Sequence, residues 1–214
     1  MNEKKEINMR ILFVGMPDSV HTARWISQIA GEGWEIYLFP SLKGIPHSEL
    51  KNIRLFSPAV VYHVDKSQNI RYIRWTGFFA SLDKVIGRFI KKPFSWFGAW
   101  AFKTVILFLR PDIIHSLEIQ HAGYQTLRVQ ERLRDKFPLW LVTNWGSDIF
   151  LFGRLSEHRE RIKSVLANCD YYSCECQRDV DLARMYGYSG KVLPVLPNAG
   201  GYDLKKIIHL RGNG

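Results

Sequence analysis

His21 and Arg24 stand three residues apart, one turn into a segment that reads as the first helix of the chain. On a helix, that spacing places an imidazole and a guanidinium on one face, where they suit an anion or a hydroxylated ligand. The same pair also suits the ordinary solvated surface of a first helix. Other polar, glycine-bearing segments recur along the chain: 116–123 with His121, 144–148 with Trp145, Gly146 and Asp148, 175–178, and 197–200 with Asn198. Each follows an apolar run of strand length. In an open α/β sheet such segments share the carboxyl edge, where ligands bind.

The elements that must hold these residues are legible around them. Residues 10–14 form a short apolar run suited to a central parallel strand. Gly15 permits a sharp turn at its end, and Ser19 is a good N-cap for the helix that follows. Val20, Ala23, Ile26 and Ala30 recur at helical spacing, and Gly31 and Gly33 end the pattern. A positive helix end then lies beside the mouth of the sheet, a place suited to phosphate. The chain lacks G-x-G-x-x-G and GK[ST], so neither a dinucleotide fingerprint nor a nucleotide phosphate loop is present. Further strands are expected at 35–39, 53–56, 60–64, 113–115, 139–143, 171–174 and 191–196. Helices are expected at 82–109 with a break at Pro93, and at 120–134, 155–167 and 177–186. This alternation predicts an α/β fold: a Rossmann-like parallel sheet with helices on both faces.

Composition narrows the classes. The 214 residues are 46% hydrophobic and 23% charged, an ordinary globular balance. No apolar run approaches the roughly 20 residues of a membrane span. The start of the chain is polar, with no apolar stretch of the kind a secretion signal needs. Cys169, Cys174 and Cys176 lack a second ligand pair at zinc-like spacing and read as structural thiols. Of the net charge of +10, residues 71–110 carry +7: eight bases against Asp83 alone, with eleven aromatics interleaved. That mixture suits an anionic membrane surface, with Arg88, Lys91, Lys92 and Trp96 as the expected contact. It also suits a core helix whose aromatics pack inward while its lysines face water. No nucleic-acid motif accompanies the charge, and no nucleic-acid partner is expected.

Taken in order, MRILFVGMPDSVHTARW, PDIIHSLEIQHAG, VTNWGSDI and YYSCECQRDVDLARMYGYSGKVLPVLPNAGGYDL resemble the N-terminal half of a family-4 glycosyltransferase of the GT-B fold. The resemblance covers nearly all of residues 9–204. It implies a nucleotide-diphospho-sugar donor, a glycan or lipid-linked acceptor, and retaining transfer without a metal or other cofactor. In such enzymes the first domain mainly binds acceptor and the second binds most of the nucleotide. The resemblance sets Gly15 and its neighbours against the donor diphosphate or sugar, and places 144–148 on the cleft. Ser19, His21, Arg24, His121, Trp145, Gly146, Asp148 and Asn198 are the expected donor- or acceptor-binding residues, and no catalytic residue is assigned.

Two departures stand out. The family's frequent histidine in T-x-H-G-x-D is Trp145 here, which cannot accept a proton but can stack on a sugar face. Asp148 either accepts from sugar hydroxyls or caps the segment around it, and His121 either faces ligand or is structural. The family's second half has no counterpart after Gly201. The expected division is therefore a polar tail (1–8), a first domain (9–201) and a linker (202–214) toward a missing donor-binding domain. A fragment, one subunit of a split transferase and a non-catalytic binding module all fit that pattern. The expected location is cytoplasmic, peripheral at the inner face of the membrane.

Overall fold

The computed structural model describes residues 9–57, 66–74, 94–197 and 208. Among them the strands form one parallel sheet: β1 (Arg10–Gly15), β2 (Glu35–Pro40), β3 (Arg54–Ser57), β4 (Arg71–Arg74), β5 (Ile113–Leu117), β6 (Leu139–Thr143), β7 (Tyr171–Ser173) and β8 (Lys191–Val192). Their order is β4-β3-β2-β1-β5-β6-β7-β8. The direction of winding reverses between β1 and β5, so the crevice above these two strands is the topological switch point. The helices are α1 (Val20–Ile29), α2 (Phe94–Leu109), α3 (Tyr124–Leu133), α4 (Ser156–Asn168) and α5 (Gln177–Met185).

Residues alternate across the sheet with period two. Ile11 and Phe13 of β1 join Ala23 and Ile26 of α1 in one core. Leu12 and Val14 face the other way, into a larger core with α2, α3, α4 and Trp140. Strands buried on both faces need continuous apolar runs, and 11–14 is fully buried. A polar residue buried in this layer, His115, is satisfied internally. His115 lies within 2.7 Å of the Thr143 hydroxyl and packs against Phe13 and Trp25. Burial pushes its pKa down to about 3, so it is a neutral core residue.

The structure revises several sequence expectations. Residues 71–74 form edge strand β4, where no strand is expected from the sequence, so the basic stretch at 71–110 begins within the sheet. An edge strand tolerates this charge because one side needs no partner strand. The helix expected at 120–134 opens instead with a π-helical turn, Ile119–Gly123, before α3 begins. The last strand stops at Val192 rather than 196. Residues 60–64, Arg88, Lys91, Lys92, Asn198, the polar tail and the linker apart from Ile208 lie outside the described residues. Trp96 falls within α2, but its side chain is also outside them.

Candidate functional site at the carboxyl edge

The switch point brings four loops together. The first leaves β1 at Gly15, where helix and neighbouring strand approach closely. A Cβ at Gly15 would sit 3.3 Å from the Thr22 hydroxyl and 3.4 Å from Leu117 Cβ. Ser19 adopts an extended conformation and its hydroxyl accepts from Thr22 N at the start of α1. The Thr22 hydroxyl is buried and has no hydrogen-bond partner among the described residues. The loop after β2 closes over this turn: His47 N donates to Pro17 O, and Ser41 N to Gly15 O. Gly44 is packed so tightly that a Cβ there would meet the Asp18 carboxyl at 2.7 Å.

The second loop is the π-helical turn after β5. Glu118 enters it with φ 85° and ψ 160°, a region occupied almost only by glycine. Its buried carboxylate, 3% exposed, accepts from the backbone N–H of His121 and Ala122. A carboxylate is well placed there because the first amides of a helix have no internal acceptor. The wide turn presents His121 half-exposed at the rim, its Nδ1 3.4 Å from Glu118. The hydrogen bond to Glu118 raises the His121 pKa against the opposing effect of burial.

The third loop follows β6 and is tied to the second. One Asp148 carboxylate oxygen accepts from Ile119 N and from Trp145 N, each at 3.0 Å. Gln120 donates its side-chain amide to Asp148 O. At 4% exposure, Asp148 joins the two loops. Burial, and then the nearby Glu118 carboxylate, push its pKa up to about 8, outweighing the two amide donors. This arrangement sets Trp145, partly buried against the α1-side core, beside His21, with ring centroids 5.3 Å apart. The helix α1 loop and the β6 loop therefore meet through an imidazole and an indole, side by side at the mouth of the crevice.

The fourth loop follows β7. Asn144 is buried and donates to Asp179 at 3.0 Å. Asp179 in turn holds Arg178 through an ion pair of 2.8 Å. Arg178 also reaches Gly146 O, so α5 braces the backbone next to Trp145. The nearest atom to a Cβ built at Gly146 is a Glu175 carboxylate oxygen at 4.0 Å.

Gly15 at the end of β1, Ser19 and His21 at the start of α1, His121 in the π-helical turn, and Trp145, Gly146 and Asp148 after β6 thus lie at one edge of the sheet. Arg24 forms a two-bond ion pair with Glu49. Glu118, Asn144 and Arg178 fall within the polar segments expected at this edge, though without individual roles there, and Asp179 lies just outside them. Their common signal is a polar residue directly after a buried strand, or in the first turn of the next helix. The three cysteines carry free thiols; burial pushes Cys169 up to about 12 and Cys174 up to about 11. Among the described residues, no three His, Cys, Asp or Glu groups cluster to hold a metal ion.

A doubly wound parallel sheet with bracing loops at its switch point defines a Rossmann-like α/β domain. A family model described as glycosyl transferase 4-like matches residues 10–174, well over half the chain. The chain belongs to this glycosyltransferase family. Among solved structures it is similar to a sucrose-phosphate synthase from Thermosynechococcus elongatus, with a TM-score of 0.51 and 16% identity, covering 93% of this chain and 94% of that chain. At that identity the likeness establishes the fold. No match was found among curated proteins.

Proposed function

We propose that this domain is the acceptor-side wall of a glycosyltransferase. It acts in transfer of a sugar from a nucleotide-diphospho-sugar to a glycan or lipid-linked acceptor, with retention and without a metal. The observation that carries this reading is the meeting of His21 and Trp145 above the switch point. An indole offers an apolar face to a sugar ring, and an imidazole beside it offers hydrogen bonds to hydroxyls. His121 supplies a second imidazole at the same rim. The amide end of α1, with the buried Thr22 hydroxyl, suits the donor's phosphates or sugar.

The division of the chain into a tail, a domain spanning 9–201 and a linker belongs to the same proposal. So does a second, donor-binding domain that supplies the opposite wall. Asn198 would stand where the two domains join. The enzyme works in the cytoplasm, at the inner face of the membrane, where lipid-linked acceptors are presented. Among the described residues no helix is long and apolar enough to cross a membrane, so the proposed association is peripheral.

One wall cannot hold donor and acceptor in reactive geometry. Residues 1–214 alone are therefore expected to bind saccharides yet transfer no sugar from a panel of radiolabelled UDP-, GDP- and ADP-sugars. Turnover by this chain alone would refute the one-wall reading.

A further inference from the structure

We propose that the outer side of α2, with the groove beside its C-terminal end, docks on an anionic lipid surface. The proposal rests on the membrane-surface location given above and names the contact. The inner side of α2 is committed to the core through Phe102, Val105, Ile106 and Leu109. The outer side should then carry charge, as on an ordinary solvated helix. It instead presents Leu107 at 48% and Phe108 at 85% exposure.

The groove continues this apolar face. About 620 Å³ of space lies between Leu107 and the segment entering β6, which contributes Phe137 and Pro138. Leu139, at the start of β6, is also exposed. Arg110 and Lys136 line the same groove, against one acid, Asp135. Lys103 stands one turn before Leu107. The groove lies at the amino edge of the sheet, away from the saccharide-facing loops, so docking there leaves the crevice open.

Charge decides the occupant. A projecting apolar side chain flanked by cations supplies both parts of interfacial binding: insertion of apolar area, and attraction to anionic headgroups. A second copy seated on the same face would oppose Arg110 and Lys136 to their own equivalents, which like charge disfavours. Phe108 and Phe137 offer aromatic faces that a single-stranded nucleic acid could also use, so binding of single-stranded DNA without binding to phosphatidylglycerol vesicles would overturn the proposal.

Co-sedimentation of the 214-residue chain with phosphatidylcholine vesicles, with and without phosphatidylglycerol, tests the proposal. Binding is expected only with phosphatidylglycerol and should fall as salt rises. The double variants L107S/F108S and R110E/K136E should each bind about tenfold more weakly or less. These exposed positions should leave the circular dichroism spectrum and melting profile near those of the parent. Equal binding by L107S/F108S, or no binding to phosphatidylglycerol vesicles at low salt, would overturn the proposal. So would a concentration-dependent dimer in sedimentation velocity that L107S/F108S abolishes. Saccharide binding measured in parallel should be unchanged in both variants, so failure of lipid docking and failure of the saccharide reading give different results.

Discussion

Replacing Trp145 with alanine is expected to weaken saccharide binding about 30-fold, the equivalent of about 2 kcal/mol from lost apolar contact with one sugar face. The position of Trp145 accounts for this effect. Trp145 is turned onto His21 by a loop whose backbone is held from two sides, by Asp148 at 3.0 Å and by Arg178 through Gly146. An indole held in that way loses little rotamer freedom when a ligand arrives, so most of its contact energy survives as affinity. Trp145→Phe keeps an aromatic face and should retain most of the binding. Trp145→His introduces the histidine that the family resemblance sets at this position but narrows the face, and should fall between the two. Trp145 also packs against the core on the α1 side, so melting temperatures should be measured alongside. Isothermal titration with a panel of mono- to tetrasaccharides reads the affinities. Unchanged affinity in Trp145→Ala would remove the stacking role.

The second large effect is in pH and stability, and it belongs to Asp148. Asp148 has a model-compound pKa of 3.8 and is pushed up to about 8 when folded. Between these values the native state holds a proton that the unfolded chain has released. Stability therefore falls as pH rises from about 4 to about 8, with a slope of at most ~1.4 kcal/mol per pH unit. His121 adds in the same direction. Its raised folded pKa contributes stability below the unfolded value, and that stability is lost as pH climbs through the folded one. Asp148→Asn cannot titrate and should flatten the profile, gaining on the parent protein as pH increases. Asp148→Ala instead leaves the amides of Ile119 and Trp145 without their acceptor. It should lose stability across the whole range, by ~1–3 kcal/mol for each group left unpaired. Urea unfolding at several pH values between 5 and 8 checks both variants. A parent-minus-Asn difference that stays constant with pH would contradict the assignment of the proton to Asp148.

Much of the framework was legible because it depends on local rules. The apolar run 10–14, Ser19 as N-cap and the strand at 139–143 follow from periodicity and capping chemistry, and each occurs in the structure. Edge strand β4 was not legible, since Arg71-Tyr72-Ile73-Arg74 lacks the apolar run of a buried strand and resembles the basic stretch that follows it. The π-helical turn was hidden for a different reason. It depends on Glu118, whose positive φ accompanies a backbone hydrogen bond to Thr143 of β6 and whose carboxylate accepts from the amides of His121 and Ala122, neither of which the residue types announce. Trp145 and Asp148 could be singled out in sequence, but not the division of labour between them. Asp148 is turned inward onto backbone amides, and Trp145 is left against the α1-side core beside His21. That outcome required knowing that 118–123 and 144–148 sit side by side on adjacent strands.

The central claim is that the carboxyl edge around the switch point receives a sugar, and hydrogen–deuterium exchange of the 214-residue chain measures it most directly. The saccharide that binds most tightly in the titration panel should slow exchange at 15–22, 118–123 and 144–148 together. The groove formed by 106–111 and 135–138 should be unaffected, and the protection should fade in Trp145→Ala. Protection confined to that groove, or none at these three loops at saturating saccharide, would contradict the account.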